Sequence, residues 1–192
     1  MDLHGKRIIL GSNSPRRREL LAGLNIEFEV DTRNNFIERF GPDTPRAQIP
    51  ALMSRGKSLG FHRPLADDEI LVTADTLVFC GGAILGKPHS RPEAVRMLEE
   101  LSGREHQVTT AVTIRDSHRE TTFTDTSNVF FKELAPEETA YYVDTFRPYD
   151  KAGAYGIQEW IGYIGITRIE GSYFNIVGLP VHRVYAELQT FL

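Results

Sequence analysis

An α/β fold, a mixed twisted β-sheet flanked by helices, is predicted by three observations on this 192-residue chain. Near the N-terminus a strand, a tight polar turn and a helix follow one another directly. They are the apolar run Arg7-Ile8-Ile9-Leu10, then Gly11-Ser12-Asn13-Ser14, then a helix from Pro15 with Leu20, Leu21 and Leu24 at helical spacing. A second β-prone run, residues 70–80, ends in Gly81-Gly82, the signal of a tight hairpin leading into Ala83-Ile84-Leu85. Beyond it, helical and strand periodicities continue to alternate.

Each element has a local reason. Ser14 is a favourable N-cap, and Pro15 suits the first helical position because its missing N–H has no intrahelical partner there. Residues 26–30 alternate apolar and polar, the pattern of a strand with one buried face, expected beside the first strand. Ile49, Leu52, Met53, Gly56 and Gly60 share one helical face, so residues 50–61 read as a helix with Pro50 near its start. Ser90-Arg91-Pro92-Glu93 is a capping box heading a helix that carries Ala94, Met97, Leu98 and Leu101, and Gly103 ends it. Residues 106–114 and 121–131 are predicted strands, and Pro136 opens a helix to Phe146 with Tyr142, Val143 and Phe146 inward. Residues 161–169 and 173–177 are expected as closing strands. A last amphipathic helix follows Gly178-Leu179-Pro180, with Val184, Tyr185, Leu188 and Phe191 inward.

Composition narrows the function classes. With 41% hydrophobic residues, the chain suits one large domain or two small lobes sharing a cleft. A net charge of -4 argues against a nucleic-acid polymer as partner, since phosphate contacts along a polymer need a basic surface. Cys80 is the single cysteine and lies in an apolar run, so no disulfide framework is expected and a reducing, cytoplasmic setting is predicted. Residues 1–7 lack the apolar segment of a signal peptide, and no run approaches the roughly 20 apolar residues needed to span a bilayer. No membrane association is expected.

Positive charge is instead concentrated locally. Arg16, Arg17 and Arg18 fill the first turn of the N-terminal helix, the wrong sign for the positive end of a helix dipole, at about 0.3 to 1 kcal/mol each unless an anion neutralises them. Together with the unpaired N–H groups of the helix start and the hydroxyls of Ser12 and Ser14, they make a phosphate receptor; the alternative is a solvated basic turn. Asp75 and Thr76 lie at the centre of the 70–80 run, where a carboxylate needs a cation, a metal or several donors. A catalytic or metal-binding Asp75 is therefore favoured over a structural Asp bonded to backbone at a bulge.

Other candidates are distributed along the chain. Glu38 is the acidic one in the polar stretch 31–45, following Phe36 and Ile37, two apolar residues able to anchor the loop; a solvated loop glutamate is the alternative. Lys57 borders the apolar helix face, either holding its ammonium at a cleft or covering apolar surface. Lys87, between Gly86 and Pro88, suits a phosphate contact but lacks the rest of a P-loop. In residues 150–158, two glycines with Lys151 and Gln158 point to close approach of a ligand, the Gln158 amide being able to read a base edge, against an ordinary glycine loop. His106 has no Cys, His or carboxylate at metal-ligand spacing and reads as a hydrogen-bonded structural histidine. Ser12 and Ser14 lack the nucleophile-elbow pattern and no histidine can be assigned to them, so serine-hydrolase chemistry is disfavoured.

These motifs, taken in order, resemble the Maf family of nucleotide pyrophosphatases. The resemblance runs through SNSPRR at 12–17, Lys57, ADT at 74–76, GKP at 86–88, LSGREHQV at 101–108, DKAGAYGIQ at 150–158 and GSYFNIVGLP at 171–180, nearly the whole chain. It implies a single Maf-like domain over residues 1–192, with two lobes and a central cleft as in inosine-triphosphatase-like folds. The implied reaction is hydrolysis of a nucleoside triphosphate between the α and β phosphates, giving a monophosphate and pyrophosphate, with a divalent cation such as Mg²⁺ or Mn²⁺. The DKAGAYGIQ form resembles the branch acting on dTTP and UTP rather than that acting on 7-methyl-GTP, in a house-cleaning role.

Carried over by position, the resemblance makes Asp75 the acid/base residue that activates water, with Lys57 and Lys87 beside it among the catalytic groups. Arg16, Thr76 and Gln158 match specificity positions; Ser12, Ser14, Arg17 and Lys151 would contact substrate; Glu38 and Asp75 would hold the metal. The chain departs from the family pattern at Ile37, where the acidic loop usually reads Asp, at Gly11 in place of alanine, at Gly56 and Ser58 around Lys57, and at residues 145–148. Homodimerisation is left open. Two other readings stand beside the first: a non-catalytic nucleotide-binding regulator linked to cell division, and a purine triphosphatase preferring ITP.

Overall fold

Strand β1 (Arg7–Leu10) is buried at Ile8, Ile9 and Leu10, as a parallel strand covered on both faces should be. In the computed structural model, which describes residues 2–41 and 43–192, it is flanked in parallel by β2 (Phe28–Val30) and β3 (Glu69–Cys80), with Ile8 opposite Phe28 and Ile70. The Gly81-Gly82 turn, with positive φ at both residues, returns β4 (Ala83–Leu85) antiparallel to β3, with Val78 opposite Leu85. With β5 (Glu105–Arg115), β6 (Glu120–Phe131) and β7 (Ile166–Glu170) the order is β2-β1-β3-β5-β6-β7, β4 pairing with β3, and β7 runs antiparallel to β6. The sheet is mixed, as predicted. The helices are α1 (Pro15–Ala22), α2 (Ile49–Leu59), α3 (Arg91–Leu101), α4 (Pro136–Phe146), α5 (Trp160–Gly165), α6 (Tyr173–Val177) and α7 (Val181–Thr190). None of the described helices is long and apolar enough to cross a membrane.

The chain divides into two compact units. The first comprises Met1–Asp75, Thr110–Asp125 and Gly178–Leu192, and the second Thr76–Thr109 and Thr126–Val177. In the first unit, Ile8, Leu10, Leu21, Ile70, Val72 and Val112 pack with Leu179, Val184 and Leu188 from the far end of the sequence. A buried hydroxyl network crosses it: Ser54 Oγ donates to the Thr73 carbonyl and pairs with the Thr113 hydroxyl, while Thr73 Oγ1 donates to the Ser54 carbonyl. These bonds fix α2 against β3 and so set where Lys57 can reach. Glu69 anchors the start of β3; it is 2% exposed, accepts from both terminal nitrogens of Arg63 and from the Ala66 N–H, and its carboxyl is held down to about 2.

The second unit has its own core, built from Val78, Leu98, Leu101, Val108, Val129, Tyr142, Val143 and Ile161. His106 is buried there, paired through Nε2 with the Tyr155 hydroxyl at 2.8 Å, the structural role expected of it. Burial pushes its pKa down to about 4. The unfolded chain therefore binds this proton more tightly than the folded one, so His106 removes stability as pH falls from about 6.5 to about 4, by about 3 kcal/mol in full. Denaturant unfolding of the wild type and of His106→Gln at pH 7 and pH 4.5 checks this. The wild type is expected to lose more stability on acidification than the variant.

Several expectations need correction. Residues 173–177 form helix α6, not a strand, because the Ser172 hydroxyl accepts from the Asn175 N–H and the Ser172 carbonyl from Ile176, starting a turn that carries the Asn175 side chain inward. That amide donates to the Val108 carbonyl and to Ser127 Oγ. Of residues 161–169, the first part is α5 and only the end is strand; the Glu159 carbonyl accepts from the Gly162 N–H and turns the chain. Leu52, Tyr185 and Ile37 are exposed. On α2 the buried face instead includes Ser54 and Ser58, whose polar atoms are bonded inside. In α3, Glu93 accepts from the His89 N–H rather than from the N-cap Ser90, so the reciprocal bond of the predicted box is shifted by one residue. Strand β2 lies at the sheet edge and leaves Val30 exposed, so the expected buried face is reduced to Phe28 and the preceding Ile26.

Candidate active site

Strand β3 is buried from Glu69 to Ala74, opens at Asp75, Thr76 and Leu77, and is buried again at Val78. The interruption includes both residues singled out by sequence, Asp75 and Thr76. In the first unit, Lys57 Nζ from α2 donates to Asp75 Oδ1 at 2.6 Å, and Asp75 keeps 13% of its side chain exposed, so the carboxylate is partnered and still meets solvent. The same ammonium lies 2.9 Å from Glu38 Oε1. Three side chains separated by up to 37 positions in sequence thus meet at one cation.

Glu38 reaches that position because its loop is fastened locally. Asn34 donates its amide to the Lys57 carbonyl and accepts from the Phe36 N–H, and Asn34 bridges Phe61. The Phe36 ring then fills the space where a Cβ at Gly56 would stand, 2.3 Å away, so glycine before Lys57 is what lets this loop lie down on α2. Phe36 is the anchor; Ile37, expected to share that task, points to solvent.

The N-terminal turn is organised around Arg17. Ser14 caps α1 as predicted, its Oγ accepting from the Arg17 N–H. The Arg17 side chain donates from Nε to the Gly178 carbonyl and from Nη1 to Ser12 Oγ and the Ala74 carbonyl, the last of which ties the helix start to the residue before Asp75. Burial pushes its guanidinium below the ordinary value, and the Asp75 charge opposes that shift, with Arg16 and Glu38 near enough to contribute. Ser12 is buried, and its Oγ accepts from Arg17 and from the Ser14 N–H. Arg16 is half-buried on the same first turn, which carries no acidic residue.

The remaining candidates belong to the second unit. Thr76 is half-buried on β3, and Lys87 is exposed on the loop after β4, where the Gly86 carbonyl accepts from the Gly153 N–H and joins that loop to residues 152–154. Lys151 is buried and meets two carboxylates, Asp150 at 2.8 Å and Glu159 at 3.0 Å. Gln158 is half-buried, and its Oε1 has no hydrogen-bond partner among the described residues. A buried amide oxygen left so is costly, by about 1 to 3 kcal/mol, until a donor reaches it. Glu159 and the hydroxyl of Tyr142 were not legible as site residues. The only available signal was an acidic residue directly after Gln158, ahead of an apolar stretch.

For a divalent cation the donor set fits. Asp75 and Glu38 supply two hard carboxylates, each engaged through one oxygen by the Lys57 ammonium, and Mg²⁺ is commonly held by one or two carboxylates with substrate phosphates and water completing its shell. No group of three His, Cys, Asp or Glu side chains arranged for a metal occurs among the described residues.

Comparison with known proteins follows the same lines. Residues 7–191 match the family described as Maf-like protein. A dTTP/UTP pyrophosphatase of Porphyromonas gingivalis is 49% identical over 187 residues, covering 96% of this chain and 94% of that protein. Proteins of the same name from Bacteroides thetaiotaomicron, 48% identical over 183 residues (95% of each chain), and Christiangramia forsetii, 43% identical over 190 residues (99% of this chain and 96% of the other), align across nearly the full length as well.

Proposed function

Since this chain belongs to the Maf-like protein family, we propose that it hydrolyses dTTP and UTP between the α and β phosphates, releasing the monophosphate and pyrophosphate. The observation that carries the reading is the meeting of Asp75, Lys57 and Glu38 at the point where β3 opens. Phosphoryl-type hydrolysis calls for a positioned water and neutralised charge more than for a covalent nucleophile. Asp75 takes the proton of the attacking water, and Lys57 orients that carboxylate and offsets charge developing on the phosphates. Arg16 and Lys87 add positive charge toward the phosphates, Lys151 and Thr76 offer N–H and O–H donors to the substrate, and Ser12, Ser14 and Arg17 keep the helix start in place. Glu38 and Asp75 would hold Mg²⁺ or Mn²⁺, which when bound supplies Lewis-acid neutralisation of phosphate oxygens. A cytoplasmic setting belongs to the same reading, in keeping with Cys80 as a buried free thiol.

Gln158 supplies base selection. Its unpartnered Oε1 is an acceptor, matched by the N3–H of thymine and uracil and not by cytosine, whose N3 is itself an acceptor. Pyrophosphate release measured across dTTP, UTP, CTP, GTP and ITP tests the function. Turnover is expected for dTTP and UTP, and nucleotide binding without release would overturn the reading. In Gln158→Ala, preference for dTTP over CTP is expected to fall about tenfold, more than turnover itself. Equal losses for every nucleotide would exclude this role.

A further inference from the structure

Lys151 and Gln158 sit at the two ends of one short segment, and the carboxylate of the next residue, Glu159, reaches Lys151 directly and Gly156 through Tyr142. Glu159 Oε1 lies 3.0 Å from Lys151 Nζ. Its other oxygen, Oε2, accepts from the hydroxyl of Tyr142, a fully buried residue of α4. That hydroxyl in turn accepts from the Gly156 N–H at 2.9 Å. The Glu159 and Lys151 side chains close over Gly156: a Cβ there would stand 2.9 Å from the Glu159 carboxyl carbon and 3.1 Å from Lys151 Cε. Burial and the adjacent Glu159 charge raise the phenol pKa well above its ordinary value, so Tyr142 remains a neutral donor throughout the working pH range.

Charge bears on the same point. Lys151 faces two carboxylates, Asp150 and Glu159, so its ammonium is already more than neutralised and acts as an anchor as much as a phosphate ligand. A charge of this kind, largely withdrawn from water, persists only with such partners, and the pairing fixes the start of the segment. The Tyr142 contact fixes its end, two residues before Gln158.

We propose that Glu159 is a positioning residue: by holding Lys151 directly and Gly156 through Tyr142, it keeps residues 151–158 in the one conformation that presents Gln158 to the base. The role rests on the nucleotide reading above, since Gln158 needs a base to read. It does not require Glu159 to touch substrate.

The test uses the full chain, with Glu159→Gln, Glu159→Ala and Tyr142→Phe beside the wild type. Two readouts are taken: amide hydrogen exchange across residues 151–158, and kcat and KM for dTTP, UTP and CTP by pyrophosphate release. Glu159→Gln keeps an acceptor for Tyr142 and loses the charge opposite Lys151. It is expected to give an intermediate effect, and Glu159→Ala the full one. In Glu159→Ala, exchange of the segment should accelerate at least tenfold, KM for dTTP should rise about tenfold with kcat changed much less, and the dTTP-to-CTP preference should fall in step with it. Tyr142→Phe should expose the Gly156 amide in particular.

Unchanged exchange and unchanged preference in folded Glu159→Ala overturn the proposal, as does a uniform loss of kcat for all three nucleotides with the preference intact. If Glu159→Ala does not fold, the near-isosteric Glu159→Gln decides by the same criteria. A wild type that turns over none of the nucleotides overturns the functional reading instead, and the exchange data then judge the clamp independently.

Discussion

Asp75→Asn is expected to reduce kcat for pyrophosphate release from dTTP by about 10²- to 10⁴-fold, the contribution of a positioned general base, with nucleotide affinity affected far less. The substitution preserves shape and an acceptor oxygen for the Lys57 ammonium, so the fold around β3 is retained. What disappears is the anion. The amide cannot take a proton from water, and one of the two carboxylates around the cation position is lost, leaving Glu38 alone beside Lys57. Steady-state turnover with equilibrium nucleotide binding on the same samples checks it. A kcat within tenfold of wild type would show that the proton goes elsewhere.

Gly162→Ala is expected to destabilise the protein by about 3 kcal/mol or more, the upper range for overpacking, and to lower Tm by about 6 to 12 °C. A Cβ at this position would fall 1.8 Å from the Ile157 carbonyl oxygen, a backbone atom with no rotamer into which it can retreat. Either α5 shifts or the Ile157 carbonyl does, and the next residue is Gln158. Loss of stability and of base preference should therefore appear together. Thermal unfolding followed by circular dichroism gives the first, and a dTTP-to-CTP comparison the second. Wild-type values for both would mean that the chain can relax here without cost.

These outcomes depend on different kinds of information in the chain. Ser14, Pro15 and the leucines that follow made α1 legible, because capping and helical spacing are properties of a dozen adjacent residues. Residues 70–80 were legible as a strand for the same reason, and a carboxylate within that run required a partner on energetic grounds alone. The partner itself was only a candidate in the sequence. Lys57 lies 18 positions away and Glu38 37 positions away, and the bonds of Asn34 and Ser54 that bring them to Asp75 have no local signature.

The second unit shows the limit from the other side. Tyr173, Phe174, Ile176 and Val177 have strand propensity, yet Asn175 is buried only if the backbone turns there as a helix, and its two long-range hydrogen bonds outweigh the preference of its neighbours. Tyr142 was recognisable as an inward residue by its spacing, but its hydroxyl, joined to Glu159 and Gly156, was not.

By itself, then, the sequence determined the α/β class, the strand-turn-helix opening and the chemical character of Asp75, since each follows from propensity, capping and solvation over short stretches. Only the tertiary structure decided which cation Asp75 meets, that Arg17 serves the scaffold, and that Glu159 ties residues 151–158 together. Those outcomes turn on distances between groups far apart along the chain, which close packing sets and local pattern does not contain.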